Sequence, residues 1–414
     1  MFAIHPGLER TFSLLKAAGN PEKKLRFIHI AGTNGKGSTG AMLEAAFRNA
    51  GSRTGFYSSP HLIDVRERFR INGKMIDPEL FERGVKALAD VSAGQRYSYF
   101  EFTTVLAAKL FAEAKCDIVI WETGMGGRLD ATNTVIPAAS VITNIALDHE
   151  KYLGRTIAAI AGEKAGIIKE KVPVFIGFMP DEAREVIAAQ AKEKNCELFC
   201  ADGGTPEMIE FDPADRTQKF ALLDGTIVKL SLPGKMQRRN AVTVVNILKY
   251  FAAQGVIDLQ KALAGLAKTI WPARMQFVSD RLIIDGGHNP DGVGAFTEAL
   301  AEIFPGEKFT LIYGAFEDKA VGNCLDIWKN LASEVVAVKL TPVSRASVPP
   351  EKLKAMFQEI APEIAVHPAS DVREAIKIAK AISGTHRIVI SGSLYLAGEA
   401  LEYLYGSNGA GDLV

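Results

Sequence analysis

Short apolar runs alternate with amphipathic stretches along almost the whole chain. Residues Ile28-His29-Ile30-Ala31, led in by Leu25-Arg26-Phe27, form a mainly apolar run that ends on a glycine-rich turn. From Ser38 onward, Met42, Leu43, Ala46 and Phe47 recur at helical spacing. A continuous run reads as a strand buried on both faces, and the 3.6-residue spacing reads as a helix against it. Residues 53–59 read as a second strand, ending in Ser58-Ser59-Pro60-His61. Asn72-Gly73, between alternating segments in 67–76, marks a hairpin. Pro78 opens a helix at its first turn, and a further helix covers 99–114. Residues 117–122 form another buried-type strand, ending on Glu122. The next, 140–145, stops before Leu147-Asp148-His149. A helix then carries Glu163-Lys164-Ala165-Gly166-Ile167, followed by a strand over 172–177 and a helix over 183–194.

Between 197 and 232 the pattern changes. Short apolar runs are broken by Gly203-Gly204, Asp212-Pro213 and Asp224-Gly225, which predicts antiparallel hairpins. Helices over 238–251 and 259–267 follow, and Ile270-Trp271-Pro272-Ala273-Arg274 interrupts the alternation. The domain boundary is placed there, giving domains 1–271 and 272–414. The second starts again with a strand over 282–285, the turn Gly286-Gly287-His288-Asn289-Pro290 and a helix; later strands cover 308–313, 334–338 and 387–391. The predicted fold class is α/β: a P-loop ATPase domain with a mainly parallel sheet, plus a smaller C-terminal Rossmann-like α/β domain. Residues 406–414 read as a loose tail.

The glycine turn Gly32-Thr33-Asn34-Gly35-Lys36-Gly37-Ser38 changes the picture from fold to chemistry. A strand, a glycine loop and a helix N-terminus together present inward-facing amides, a favourable dipole and a lysine to phosphate oxygens. The spacing departs from the general nucleotide loop. Only Thr33 and Asn34 separate Gly32 from Gly35, and Gly37 intervenes between Lys36 and Ser38. A plain βα turn would also use glycines for positive φ, but it has no need of a cation at Lys36.

Composition narrows the partners. Of 414 residues, 48% are hydrophobic and 23% charged, and 48 basic side chains balance 48 acidic ones. This zero net charge gives no field for capturing nucleic acid or an anionic membrane. No uninterrupted apolar run is long enough for a bilayer, and the first ten residues lack a signal-peptide pattern. Four scattered cysteines, Cys116, Cys196, Cys200 and Cys324, suit a reducing cytoplasm, and no His/Cys pair near Cys196 and Cys200 suggests zinc. A monomer is expected.

Ligands of open parallel sheets bind at the carboxyl ends of strands. Lys36, Glu122 and His149 each stand at or just past such an end, and Ser59 follows a strand before Pro60. Taken singly, Glu122 also reads as an arginine partner, and His149 and Ser59 as loop residues. Lys164 reads either as a solvated helix lysine or as a lysine whose lowered pKa lets it take up carbon dioxide as a carbamate. Asn240 and Asp285 read either as caps or as nucleotide ligands, and Arg274 either as a surface ion pair or as a residue that reaches the nucleotide when the two domains close on it.

The segments HIAGTNGKGST, SSPHL, ERFRING, SYFEFTT, WETGMGGRLDATN, LDHEKYLG, GEKAGIIK, DGGHNP and SGSLY, in this order, resemble the folylpolyglutamate synthase and dihydrofolate synthase family of the Mur ligase superfamily. The resemblance implies ATP-dependent ligation of L-glutamate to folate substrates through an acyl phosphate, with dihydropteroate as a second acceptor. It assigns Gly35, Lys36, Gly37 and Ser38 to the ATP phosphates, Ser59, Glu122 and His149 to two magnesium ions, and a carbamate to Lys164. It also assigns Asn240, Arg274 and Asp285 to ATP, with His288 close by as a catalytic residue, and implies a site for a monovalent cation. Ser98, Tyr99, Phe100 and Glu101, with Leu129, Asp130 and Ala131, match the region that holds the pterin. Pro272-Ala273-Arg274 stands where Pro-Gly-Arg is usual, and Gly287 where alanine is frequent, yet each keeps its functional group.

Two other readings compete. A cell-wall precursor ligase would carry an extra domain ahead of the glycine loop, for which some thirty residues leave no room. A P-loop switch or transport ATPase would leave the DGGHNP turn without a purpose.

Overall fold

The computed structural model describes residues 7–92, 94–341 and 346–406. The chain divides into two compact units. One holds the chain up to His61 with residues 65–231 and 236–270, and the other holds 62–64, 232–235 and the chain from Trp271 onward.

In the first unit the elements are α1 (Glu9–Ala17), β1 (Phe27–Ala31), α2 (Lys36–Asn49), β2 (Thr54–Tyr57), β3 (Phe69–Ile71), β4 (Lys74–Met75), α3 (Pro78–Val91), α4 (Tyr99–Glu113), β5 (Ile118–Glu122), β6 (Ala139–Ile142), α5 (Glu150–Leu153), α6 (Ile157–Ala165), β7 (Val174–Ile176), α7 (Asp181–Glu193), β8 (Leu198–Cys200), β9 (Met208–Asp212), β10 (Thr217–Ala221), β11 (Ile227–Leu230), α8 (Lys235–Ala253) and α9 (Leu259–Gly265). Eight strands make one sheet in the order β4-β3-β2-β5-β1-β6-β7-β8, and β9, β10 and β11 make a separate three-stranded sheet. From β2 to β8 all pairings are parallel; β3 and β4 add an antiparallel edge. Every residue of β1 and β5 is buried, as expected of central strands covered by helices on both faces.

The second unit contains β12 (Gln276–Ser279), β13 (Leu282–Ile284), α10 (Pro290–Ile303), β14 (Phe309–Tyr313), α11 (Val321–Trp328), β15 (Ala332–Val338), α12 (Pro350–Ile360), β16 (Ala365–Ala369), α13 (Val372–Ile382), β17 (Arg387–Ser391) and α14 (Leu394–Tyr405). Its sheet runs β12-β13-β17-β14-β15-β16, parallel except for β12. Trp328 and Phe357 lie in the core on one face of this sheet, and Ile376 and Leu401 in the core on the other. Both units are therefore α/β layers with largely parallel sheets.

Three local expectations need correction. The segment expected to begin the hairpins instead supplies β8, which joins the large sheet in parallel with β7. Aromatic packing explains this: Phe199 stacks on Phe175 with ring centroids 4.7 Å apart, and Tyr250 meets both edge-on. The strand expected over 140–145 ends at Ile142, because the next residues turn aside to bind the glycine loop. Asn240 does not begin its helix. It lies in the second turn of α8, buried, so a capping role is ruled out. The tail beyond Gly406 lies outside the described residues. Among them, no helix is long and apolar enough to cross a membrane.

Candidate active site

The register of four adjacent strands gathers the candidate residues of the first unit. Glu122, the last residue of β5, pairs with Ile30 of β1, two residues before Gly32. Tyr57 of β2 pairs with Trp121 of β5, so Ser59 extends past the same edge. Ala31 pairs with Ile142 on the other side, which brings the segment leading to His149 beside the glycine loop.

That loop is built by sterics and by its neighbour. Gly32 has φ +152°, and a Cβ there would stand 1.9 Å from Thr143 Oγ1. Gly35 has φ +83° at the N-cap of α2, and a Cβ would stand 2.8 Å from Asn240 Oδ1. A side chain at either position would displace the backbone. The amides of Thr33 and Asn34 donate to the carbonyl (2.9 Å) and side-chain Oδ1 (2.7 Å) of Asn144. The Thr143 hydroxyl donates to the Asn34 carbonyl at 2.7 Å, and the Thr33 hydroxyl to the Ala146 carbonyl at 3.1 Å. With the loop held, the first turn of α2 carries no acidic residue and no side-chain cap. Its leading amides, at Lys36, Gly37 and Ser38, have no partner within the helix and point toward any anion bound there.

Two lysines converge on one oxygen. Lys36 Nζ donates to the carbonyls of Gly32 at 3.0 Å and Thr33 at 3.2 Å. Lys164 Nζ, from α6, donates to the same Gly32 carbonyl at 2.8 Å. Lys164 is only 4% exposed, so the solvated-lysine reading does not hold. Burial first, then the charge of Lys36, pull its amine down from 10.5 to about 7 against the opposing charges of Asp148 and Asp130.

The metal candidates differ in exposure. Glu122 is buried. Ser59 is half-buried. His149 adopts φ 52° just before α5, its ring 41% exposed and 3.9 Å from the Asp148 carboxylate. No group of three or more His, Cys, Asp or Glu side chains able to hold a metal occurs among the described residues. A cation at this edge therefore needs hydroxyl and phosphate oxygens beside Glu122, which is how magnesium is bound in phosphoryl-transfer sites.

The candidate substrate segment divides into groups that face outward and groups engaged within the fold. Ser98 and Glu101 form the capping box of α4: the Glu101 amide donates to Ser98 Oγ and the Ser98 amide to Glu101 Oε2. Arg10 also pairs with Glu101 Oε1 at 2.9 Å. Asp130 is likewise engaged. Its Oδ2 accepts the amides of Gly124 (3.0 Å) and Met125 (2.9 Å), and its Oδ1 accepts the amide (3.0 Å) and hydroxyl (2.5 Å) of Thr132. All three side chains are thus held by hydrogen bonds within the fold. Tyr99 and Leu129 remain 38% and 50% exposed, Ala131 is buried, and the Phe100 ring lies 2.5 Å from where a Cβ on Gly124 would stand.

Asp130→Asn tests this division. Asn can accept from Thr132, but its amide then faces the two donors Gly124 N and Met125 N. A loss of about 2–3 kcal/mol in unfolding free energy is expected, read by urea denaturation.

His29 is a residue that sequence reasoning missed. It is fully buried in β1, and its Nε2 lies 2.9 Å from Thr132 Oγ1. Because that hydroxyl donates to Asp130, it accepts from His29, which places the imidazole proton on Nε2. Burial, aided by Lys169, pulls the ring down to about 3, so it is neutral. A histidine inside an otherwise apolar strand was the available signal. Thr143 and Asn144, just past a strand, gave a weaker one, because nothing local shows that they grip a loop more than a hundred residues away.

In the second unit, Asp285 follows β13 and is buried. Its Oδ1 accepts the Gly287 amide at 2.7 Å and its Oδ2 the Met275 amide at 2.9 Å. Burial raises its pKa, opposed first by the nearby charge of Arg274. Arg274 Nη1 donates to the Ala273 carbonyl at 2.8 Å, and His288 Nδ1 lies 3.1 Å from the Gly286 carbonyl. Asn289 caps α10 by accepting the Gly292 amide at 2.8 Å. Arg274, Asp285 and His288 thus share one tight turn system.

Comparison with known proteins bears on this arrangement. Residues 30–248 match the Mur ligase middle domain, and residues 273–394 match the Mur ligase glutamate ligase domain. The chain is 34% identical over 417 residues to the dihydrofolate synthase/folylpolyglutamate synthase of Bacillus subtilis, covering 95% of this chain and 94% of that protein. It is 33% identical to the folylpolyglutamate synthase of Lacticaseibacillus casei, covering 96% and 94%. Among solved structures, Mycobacterium tuberculosis folylpolyglutamate synthase complexed with ADP and AMPPCP is similar with a TM-score of 0.87 at 31% identity, covering 97% of this chain and 96% of that one. Escherichia coli FolC in complex with DHPP and ADP is similar with a TM-score of 0.84 at 29% identity, covering 97% and 94%.

Proposed function

The chain belongs to the folylpolyglutamate synthase and dihydrofolate synthase family of the Mur ligases, and on that premise we propose that it joins L-glutamate to folate substrates at the expense of ATP, with both tetrahydrofolate and dihydropteroate as acceptors. The observation that carries this reading lies at one edge of a parallel sheet, where the glycine-rich loop with Lys36 lies beside the strand ending in the buried carboxylate Glu122 and receives the buried amine of Lys164.

Gly32 to Ser38 act as a shortened variant of the P-loop. The amides of Lys36, Gly37 and Ser38 hold phosphate oxygens, and Lys36 swings from the Gly32 and Thr33 carbonyls to the terminal phosphate. Ser59, Glu122 and His149 would hold magnesium with phosphate oxygens completing the set. Magnesium there supplies charge neutralisation of the triphosphate. An acceptor carboxylate attacks the terminal phosphorus, ADP leaves, and the amine of L-glutamate displaces phosphate from the acyl phosphate. Lys164 takes up carbon dioxide and acts as a carbamate. Asn240, Arg274, Asp285 and His288 are assigned to nucleotide binding and the chemistry around it, with the second unit's fold read as Rossmann-like.

Phosphate release is the test, run with dihydropteroate, tetrahydrofolate or a muramyl nucleotide, each with and without L-glutamate. Release that requires glutamate together with a folate acid is expected. Release that requires the muramyl nucleotide would reassign the chain to cell-wall precursor ligation. Release without any acceptor would make it a switch or transport ATPase.

A further inference from the structure

The structure assigns a positioning role to Thr33: its hydroxyl locks the segment that ends on His149 to the phosphate loop, and so couples the binding of a divalent cation to the binding of nucleotide. The inference rests on the ligase reading above, which puts nucleotide on the loop and magnesium on Ser59, Glu122 and His149. Every polar group of Thr33 is engaged. Its amide donates to the Asn144 carbonyl at 2.9 Å, and its carbonyl accepts Lys36 Nζ at 3.2 Å. Its hydroxyl does two things at once. It donates to the Ala146 carbonyl and accepts the Ala146 amide, each at 3.1 Å. A threonine hydroxyl carries one donor and two acceptor positions, so one side chain can close both polar groups of a single backbone residue.

Ala146 lies where such a clasp matters. β6 ends at Ile142 and α5 begins at Glu150, so residues 143–149 belong to neither a strand nor a helix. No ladder or helical repeat fixes the backbone there, and its polar groups need partners from elsewhere. Ile145 enters the same core as Ala31, and Thr143 and Asn144 tie the start of the segment to Asn34. The Thr33 clasp then reaches Ala146, three residues before His149.

The two parts joined in this way serve different ligands. The loop offers phosphate the amides of Lys36, Gly37 and Ser38 and the Lys36 amine, whereas the segment offers a cation the His149 ring. A cation that touches both His149 and a phosphate oxygen binds best when the two are already in register, because otherwise one partner must be ordered first. The clasp supplies that register. Linkage makes the effect mutual, so metal favours nucleotide by the factor with which nucleotide favours metal. Thr33 acts through backbone and contacts neither ligand. Valine keeps its branching and removes the hydroxyl; serine keeps the hydroxyl.

The test is the affinity of the full-length protein for AMPPCP, measured by calorimetry in magnesium and in EDTA. Magnesium is expected to tighten wild-type binding by about tenfold or more, within the usual range for coupled sites. Thr33→Val is expected to bind metal-free AMPPCP within about threefold of wild type yet to lose most of the magnesium enhancement, and Thr33→Ser to recover it. In His149→Ala, adding Thr33→Val is expected to change the enhancement by less than about twofold, because both residues act on one path. An intact enhancement in Thr33→Val, or equal losses of affinity with and without magnesium, overturns the inference, with a melting curve reporting folding. A second measurement needs no variant. In wild type, metal-free AMPPCP is expected to slow hydrogen exchange at the Ala146 amide by about threefold or more, and exchange that nucleotide leaves unchanged overturns the inference as well. Wild type that shows the coupling but ligates glutamate to no folate acid overturns the ligase reading instead, so the two failures are distinguishable.

Discussion

Lys36→Met is expected to lower kcat for glutamate ligation by about a thousandfold, the scale seen when a preorganised donor to developing charge is removed. In the structure the Lys36 amine is held on two carbonyls of its own loop, a resting place it can leave without disturbing the core. In the proposed role it acts at the terminal phosphate, where phosphoryl transfer depends on positioning and charge neutralisation more than on covalent chemistry. Methionine keeps the length and removes the charge. It also removes a like charge from the neighbourhood of Lys164, so thermal stability should hold or rise. Single-turnover phosphate release and a melting curve on the same preparation check both halves. A variant within tenfold of wild type would mean that the loop does not act on the reacting phosphate.

Lys164→Ala is expected to cost about a hundredfold in activity, the scale of removing a group that supports a metal or its ligands. A short carboxylate such as acetate is expected to restore part of it by standing in for the carbamate. The uptake step needs a neutral amine: nitrogen attacks the carbon of CO2, then gives up a proton. With its amine at about 7, Lys164 is neutral in a large fraction of molecules near neutral pH. An ordinary lysine at 10.5 is not. Intact-mass measurement under CO2 should show the added carboxyl group on wild type and its absence on Lys164→Ala.

The same shift sets the sign of a stability effect in CO2-free enzyme. The unfolded chain titrates this amine near 10.5 and the folded one near 7. Between those values the unfolded state binds more protons, so stability rises with pH across that window, by at most ~1.4 kcal/mol per unit, and is insensitive to this group below it. Lys164→Met should remove that slope in urea titrations at a series of pH values. An unchanged slope, together with full activity of the alanine variant, would assign Lys164 to packing alone.

Much of this was legible in the residue order because it is local. Turn chemistry marked Asn72-Gly73, and the hairpin of β3 and β4 is there. Apolar runs marked β1 and β5, and a glycine-rich turn with a lysine does open α2. Other features were not legible there, for an equally physical reason. Glu101 and Asp130 look alike as candidate substrate carboxylates in a string of letters. Only the fold shows that one closes a capping box and that the other takes four donors from its own loop. β8 looked like part of a hairpin region because its short run says nothing about Phe175 and Tyr250.

Sequence by itself determined the succession of strands and helices, the glycines at Gly32 and Gly35, and the kinds of functional group placed at strand ends. These depend on backbone sterics and on periodicities of a few residues, which neighbours in the chain decide. Tertiary structure alone decided what each group experiences. It set the Lys164 amine on the Gly32 carbonyl, 132 positions away in the chain, bound Asn34 to Asn144, and buried Arg68 beside Tyr99. Solvation and charge pairing act through space, and the strand order that determines them is settled only when distant segments share one sheet.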